Sequence, residues 1–292
     1  MKSFWKKIFI LGISSTSVCS AGDFVILDSR DAGLFSIYFD VIALVQSYEQ
    51  GVFQGVQVKF NQTGPYYDAR YGDSWWDYYF EPICLGTPEE ANVIHKLGDC
   101  LYIDPCVVEF RNTREENYNL INKHIKIKPH IQEKIDEFIK MNFQEKEFLI
   151  AVHYRGTNKN EVPRVAWSKY KDEIDRQISL LNGRKYKIFL ATEEGAAYEY
   201  FLKMYPGQII STSAQRSLGL GDPAYADPNN NLRYQCGEDV IIDCVLLSKA
   251  DVLIRAMSNV SICSGFLNPK IQEIVMNGRV QPPYRDSEYP VH

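Results

Sequence analysis

A short run of apolar residues in the middle of the chain ends in a cluster of basic side chains. Residues 148–152 have the composition of a buried strand, and His153, Arg155 and Lys159 follow it closely. Parallel α/β sheets bind ligands at the carboxyl ends of their strands, where these cations would lie. A guanidinium and an ammonium group on a glycine-containing loop suit a phosphate or diphosphate. The segment therefore predicts an open α/β sheet with an anion-binding edge.

Strand and helix patterns alternate along both halves of the chain. In the first half, an apolar run at 24–27, helical spacing at 34–48 and alternation at 56–60 predict a βαβ unit. The second half restarts the alternation, with expected strands at 148–152, 186–191, 208–210 and 251–254 and a closing helix at 269–276. With 292 residues, the chain has room for two domains. We therefore expect an α/β protein with two Rossmann-like domains facing a cleft.

Composition and charge exclude several classes of function. The chain is 45% hydrophobic and 24% charged, which is ordinary for a globular protein. Its formal net charge of −5 gives no basis for nucleic-acid binding. The chain has no phosphate-loop motif, which argues against a kinase or other phosphate enzyme, and no Cys/His spacing typical of a zinc site. We expect no cofactor. Six of the seven cysteines lie beyond the first two dozen residues and are compatible with disulfides in an oxidising compartment.

Residues 1–22 have the three parts of a secretory signal. Basic residues surround a short apolar run, and small residues follow at a possible cleavage point. The segment is too short and polar to span a bilayer. It predicts the secretory pathway or a membrane-associated location, with a frayed extension on a cytoplasmic protein as the alternative.

Three predicted strand ends in the second half carry polar residues. The first is the basic cluster after 148–152, the second is Thr192, Glu193 and Glu194, and the third is Ser258 and Asn259. Because parallel strands end at the same sheet edge, these loops should converge on a nucleotide-diphosphate pocket. Plainer interpretations stay open, since acidic residues also begin helices and Ser or Asn also cap them.

These strand ends resemble the motifs of one enzyme family. The pattern His153-x-Arg155-x-Thr157-x-Lys159 resembles the HxRRTDK motif of the α-1,6-fucosyltransferase and NodZ group, within the fucosyltransferase superfamily. The resemblance covers residues 148–265. Glu161 and Tyr170 match the family's donor-site acid and its tyrosine, and residues 189–194 match its YLATDD strand end. Residues 243–251 and 258–260 match its final helix–strand segment.

The resemblance implies a glycosyltransferase of the GT-B type, with an acceptor-side domain at 23–145 and a nucleotide-sugar-binding domain at 146–292. Such an enzyme transfers fucose from GDP-fucose to a glycan hydroxyl, with inversion and without a metal. By position, Arg155 would bind the β-phosphate, Lys159 would assist and Glu161 would be the general base. The implied donor-binding residues are His153, Gly156, Thr157, Asn158, Tyr170, Thr192, Glu193, Glu194, Asp243, Ser258 and Asn259. The implied partners are a GDP-sugar donor and a glycan or glycoconjugate acceptor.

The chain departs from the family pattern at two positions of the first motif. Gly156 replaces the second arginine and Asn158 replaces an aspartate. The loss of a cation weakens the case for a diphosphate. The departures leave open a different nucleotide sugar, or a catalytically impaired protein that binds a nucleotide sugar or a glycan.

The first half supplies candidates for the acceptor side. Arg30 and Gly33 lie in the first strand-to-helix turn, where an open sheet brings residues to its edge. Trp75, Trp76 and Asp77 would form a stacking platform for a sugar. Each group has a plainer interpretation, an ordinary βα turn and a buried aromatic cluster respectively.

Overall fold

Two β-sheets, one in each half of the chain, form the framework of the structure. The computed structural model describes residues 22–60, 62, 64–97, 108, 111–156, 164–217 and 231–277. The predicted leader lies outside these residues, apart from its last position. The first sheet has the order β3-β2-β1-β4, in which β3 alone is antiparallel. Its strands are β1 (Phe24–Leu27), β2 (Gly55–Val58), β3 (Cys84–Leu85) and β4 (Ile94–Leu97).

The second sheet is entirely parallel and has the order β7-β6-β5-β8-β9. Its strands are β5 (Phe148–Tyr154), β6 (Tyr186–Thr192), β7 (Ile209–Ile210), β8 (Val252–Arg255) and β9 (Gln272–Val275). The strand order reverses at β5, which pairs with β6 on one side and with β8 on the other. Open sheets bind ligands outside the strand ends at such a reversal.

Eight helices cover these sheets in the described part of the chain. They are α1 (Leu34–Glu49), α2 (Trp76–Tyr79), α3 (Arg114–His124), α4 (Pro129–Asn142), α5 (Trp167–Leu180), α6 (Gly195–Met204), α7 (Arg233–Leu247) and α8 (Asn259–Leu267). Local sequence explains several helix starts. Thr113 and Glu116 form a capping box at α3, and Pro129 occupies the first turn of α4. None of these helices has the length and apolar character that a membrane crossing requires.

The strands of the second sheet are buried on both faces, which explains their almost continuous apolar composition. Ile150, Val152 and Tyr154 point towards α5 and α6, whereas Ala151 belongs to the cluster formed with α4 and α7. The prediction of an α/β fold is confirmed. The closing helix predicted at 269–276 is wrong, because β9 occupies half of that segment and pairs in register with β8.

The core of the first half continues into that of the second. Phe39 of α1 packs on Phe266 of α8, with ring centroids 5.6 Å apart. Phe138 and Phe143, on and just after α4, pack on Phe189 of β6. Helix α4 therefore covers the second sheet although it precedes the predicted boundary at 145. The division into two domains stays a prediction.

A buried ion network joins α3 to the last two strands. Arg255 of β8 pairs with Glu273 of β9 at 2.6 Å, and Arg114 of α3 reaches the same carboxylate at 3.3 Å. The side chain of Glu273 is only 2% exposed. Gly265 of α8 leaves room for this carboxylate, because a Cβ atom there would overlap its Oε1. The network connects the two halves through one buried anion.

We predict that Glu273→Gln destabilises the protein strongly. The change leaves two buried arginines without their anion, and breaking a buried pair in this way costs about 3–5 kcal/mol. Urea unfolding at pH 7 measures the loss. The matched control is Glu173→Gln, which removes the carboxylate from the surface pair with Arg176 and should cost less than about 1 kcal/mol. Equal effects of the two substitutions would contradict the prediction.

Candidate functional site

Strand pairing in the second sheet brings three polar strand ends to one edge. Tyr154 of β5 aligns with Thr192 of β6, and His153 aligns with Arg255 of β8. The segments that follow these three strands therefore leave the sheet side by side. This edge lies at the reversal of strand order and is the candidate site.

Arg155 is the first residue after β5, and its guanidinium pairs with the carboxylate of Glu193, the first residue after β6. The two side chains are 15% and 27% exposed, so the pair lies at the surface of the edge. The backbone of Glu193 is fixed by Ser217, whose N–H donates to the Glu193 carbonyl at 2.7 Å. Arg155, the predicted ligand of the β-phosphate, thus lies at this edge with one of the predicted donor-site acids.

Glu194 forms a second ion pair beside the first. Its side chain is buried and accepts a charge-assisted hydrogen bond from Arg164. Burial raises the pKa of Glu194, and the Arg164 guanidinium partly opposes that rise. Arg164 also donates from Nε to the hydroxyl of Tyr154 at 3.0 Å. Sequence reasoning missed Arg164, because it belongs to none of the motifs.

Gly156 is packed against this second pair. A Cβ atom at position 156 would overlap Glu194 Oε2 and would lie 2.6 Å from Cε1 of Tyr154. Real Cβ atoms do not make such contacts, so this backbone accepts only glycine while Glu194 keeps its position. The space that a second arginine would need is occupied by a carboxylate.

His153 and Tyr170 are buried beneath the end of β5. His153 is a buried residue of β5, and the Tyr170 hydroxyl donates to its carbonyl oxygen at 3.3 Å. Tyr170 is fully buried, and its ring packs edge-on against Tyr154. Burial raises the pKa of Tyr170. In this structure the tyrosine therefore contacts protein groups beneath the edge and does not present its hydroxyl at the surface.

A carboxyl group on α7 lies close to the Arg155 pair. Asp243 accepts a hydrogen bond from Thr212 at 2.7 Å. Withdrawal of this carboxyl from water raises its pKa to about 7, and the negative charges of Asp239 and Glu193 add to the rise. The hydrogen bond from Thr212 and the positive charge of Arg216 oppose it. Asp243 therefore titrates near neutral pH at the border of the site.

The remaining donor-site candidates at described positions lie at the ends of elements at the same edge: Thr192 ends β6, and Ser258 and Asn259 stand at the start of α8. The Thr192 hydroxyl accepts a hydrogen bond from the backbone N–H of Glu194 at 3.1 Å. Ser258 is the N-cap residue of α8 without a side-chain capping bond, and Asn259 begins the helix. The structure therefore places these three residues at the predicted edge. Thr157, Asn158, Lys159 and Glu161 lie outside the described residues.

The acceptor-side candidates differ in their placement. Arg30 follows β1 and folds back on α1, where it pairs with Asp40 at 2.8 Å. Gly33 is the N-cap residue of α1. These observations fit the plainer interpretation of an ordinary βα turn, and the role of this turn at a site stays a prediction.

The predicted aromatic platform is not at the surface. Trp75 and Trp76 are each 1% exposed and pack around Phe60, with ring centroids 4.6 and 5.5 Å from its ring. Because both indole rings are buried, the structure has the buried aromatic cluster of the alternative interpretation. Asp77 is half-buried, and desolvation raises its pKa.

Across the described ranges, no group of three or more His, Cys, Asp or Glu side chains is arranged to bind a metal ion. The described residues at the edge include two pairs of a guanidinium and a carboxylate. Guanidinium groups bind phosphate oxygens, and carboxylates accept hydrogen bonds from hydroxyl or amide donors.

Comparison with solved structures identifies the fold. No known family profile matches the chain, and no curated protein matches its sequence. NodZ α-1,6-fucosyltransferase soaked with GDP-fucose is similar at a TM-score of 0.59 and 16% identity, over 84% of this chain and 92% of that one. Fucosyltransferase NodZ from Bradyrhizobium has a TM-score of 0.58 at 16% identity, over 84% and 93%. A mutant of Arabidopsis thaliana FUT1 in complex with GDP has a TM-score of 0.51 at 10% identity, over 90% and 71%.

These similarities confirm the fold class that the motif resemblance predicts, and the domain division stays a prediction. The chain has the α/β fold of fucosyltransferase structures of the GT-B type. At this level of identity the likeness is one of fold, and the site residues have to be argued from their own geometry.

We predict that Asp243 makes stability fall as pH rises from about 4 to about 7. Its pKa is raised on folding, so the folded state binds the proton more tightly than the unfolded state in this window. The contribution of Asp243 to the stability of the protein is therefore greatest below pH 4 and is lost as the carboxyl ionises. Asp243→Asn should gain stability relative to the wild type by about 2–4 kcal/mol between pH 4 and pH 8. Urea titrations at several pH values measure the difference, and a pH-independent difference would refute the assignment.

Proposed function

We propose that this protein is a glycosyltransferase that transfers fucose from GDP-fucose to a glycan hydroxyl, with inversion and without a metal ion. The observation that carries the proposal is the position of Arg155, directly after β5 at the reversal of strand order. Support comes from the fold, which is similar to that of NodZ soaked with GDP-fucose or co-crystallised with GDP. The motif resemblance between residues 148 and 265 adds independent support.

In the proposed reaction, Arg155 stabilises the leaving diphosphate. The acceptor oxygen attacks the anomeric carbon from the face opposite the diphosphate, and the bond between that carbon and the β-phosphate oxygen breaks. Negative charge develops on the departing phosphate, where a preorganised guanidinium is most effective. The acceptor proton passes to a general base, the role that the motif assigns to Glu161, with Lys159 as an assisting cation.

Glu193 has two candidate partners in this mechanism. In the described structure its carboxylate holds Arg155, whereas the resemblance places it on the ribose or guanine of the donor. Both roles are compatible if the carboxylate exchanges the guanidinium for donor hydroxyl or amide groups on binding. The diphosphate then takes the place of Glu193 on Arg155.

A binding protein without transferase activity is the second candidate. Two observations favour it: Gly156 cannot carry a cation, and Arg155 is already paired with Glu193. Stabilisation of the protein by GDP, with no transfer or hydrolysis in any acceptor mixture, would identify such a binder. A screen of GDP-fucose, GDP-mannose and UDP-sugars addresses the donor in both cases, and a glycan or glycoconjugate is the acceptor class to test.

We predict that Arg155→Ala lowers turnover of GDP-fucose by about 10²–10³-fold, because it removes the stabilisation of the leaving diphosphate. Release of GDP, measured with a mixture of glycan acceptors, is the assay. The control is Arg176→Ala, which removes an arginine from a surface ion pair on α5 and should leave turnover unchanged. Wild-type turnover in the folded Arg155→Ala protein would refute the proposed function.

We predict that Glu193→Gln tightens the binding of inorganic pyrophosphate several-fold. The substitution removes the carboxylate that competes for Arg155 and lowers the local negative charge. Guanosine, which has ribose and base but no phosphate, should bind more weakly. Calorimetric titration of both ligands measures the two effects, with Glu173→Gln as the control. Weaker binding of pyrophosphate to the variant would contradict the exchange of partners.

A further inference from the structure

Arg164 is a cation at the candidate edge with no role assigned by the motif. Its Nε donates to the Tyr154 hydroxyl, and an Nη2 hydrogen is shared with Glu194. These contacts use two of the five N–H groups of a guanidinium. The side chain is 38% exposed. Within the part of the chain that the structure describes, N–H groups of Arg164 therefore remain for a ligand at the surface.

The position of Arg164 follows from the neighbouring strand ends. Glu193 and Glu194 are consecutive, and consecutive residues at a strand end point to opposite sides. Glu193 lies near Asp243 on α7 and pairs with Arg155, whereas Glu194 lies beside Tyr154 and pairs with Arg164. The two guanidiniums are therefore held next to the end of β5 by neighbouring carboxylates.

The two ion pairs differ in how firmly they are held. Glu193 is partly exposed, so its carboxylate has access to other partners, whereas the Glu194 side chain is fully buried. A buried carboxylate that loses its cation pays a large desolvation cost. Glu194 is therefore a fixed anchor that, together with the Tyr154 hydroxyl, sets the orientation of Arg164.

Gly156 explains why the second cation has to come from another position. Its backbone excludes any side chain while Glu194 stays in place. The Glu194 carboxylate fills this space and at the same time orients an arginine that enters from outside the motif. The Glu194 carboxylate thus links the two features, because it needs the space beside Gly156 and holds Arg164.

We infer that Arg164 is a second diphosphate-binding residue of the proposed donor site, oriented by Glu194 and Tyr154. The inference rests on the proposed function, because it assumes that a nucleoside diphosphate binds at the end of β5. The carboxylates that hold the two arginines belong to consecutive residues, Glu193 and Glu194, whose Cα atoms lie about 3.8 Å apart, so a diphosphate that bridges the two guanidiniums has only a short distance to span. Arg155 and Arg164 together then provide the pair of cations that a diphosphate favours.

The test compares ligands that differ in phosphate content. Affinities for GDP, GMP, guanosine and inorganic pyrophosphate are measured by calorimetry for the wild type, Arg164→Gln and Arg155→Gln. For Arg164→Gln we expect GDP and pyrophosphate to bind about 10- to 100-fold more weakly, the range for loss of a charge-assisted contact. GMP should lose less, and guanosine should bind as it does to the wild type.

Controls separate ligand binding from a structural role of Arg164. Arg176→Gln, which removes an arginine paired with a glutamate at the surface away from the site, should change no affinity. Arg164→Lys keeps the charge but cannot contact Tyr154 and Glu194 with one planar group, so it should give an intermediate loss. If Arg164→Gln unfolds, the double variant with Glu194→Gln leaves no buried anion without a partner and replaces it in the titrations.

The outcomes distinguish this inference from the proposed function. If the wild type binds GDP, Arg155→Gln loses it and Arg164→Gln retains it, the role of Arg164 is refuted and the donor site stands. Equal losses for GDP, GMP and guanosine would show that Arg164 only supports the fold and would also refute the inference. If the wild type binds neither GDP nor pyrophosphate, both proposals fail.

Discussion

The pairing of β5 with both β6 and β8 is the constraint on which the site depends. Parallel pairing in register fixes where each strand ends, and a shift by one position is opposed by Tyr154, whose ring packs against Tyr170 on one face of the sheet. A shift would turn Tyr154 towards the wrong face and would remove Arg155 from Glu193. The geometry of the polar edge is therefore a consequence of packing in the apolar sheet below it.

Charge at this edge is balanced before any ligand arrives. Arg155 is paired with Glu193 and Arg164 with Glu194, so the two pairs together carry no net charge. A diphosphate gains little from such an edge unless at least one carboxylate moves away from its arginine. Glu193 is the exposed member, and ribose or guanine hydrogen-bond donors could receive it. Such an exchange would favour a complete nucleotide over free phosphate, because only the nucleotide supplies both the anion and the donors.

The sequence predicted the parts of the structure that depend on local pattern. Apolar runs identified the strands β5, β6 and β8, and the residue types after them identified Arg155, Glu193 and Glu194. Burial was harder to predict, because an aromatic residue suits a core and a sugar surface equally well. Trp75, Trp76 and Tyr170 are buried by contacts with Phe60 and Tyr154 that are distant or unmarked in the sequence. β9 was missed because its pairing with β8, and not its composition, makes it a strand.

Gly156 shows why a departure from a motif has to be judged in three dimensions. Read along the chain, glycine in place of arginine is the loss of a cation. In the fold, the missing side chain leaves a space that the longer Glu194 enters, and this carboxylate binds Arg164 from a position that no motif marks. The last aspartate of the YLATDD motif is Glu194 in this chain, and its extra methylene extends the carboxylate towards position 156. The residues at 156 and 194 are therefore physically coupled, because the Glu194 carboxylate fills the space beside Gly156 and pairs with Arg164.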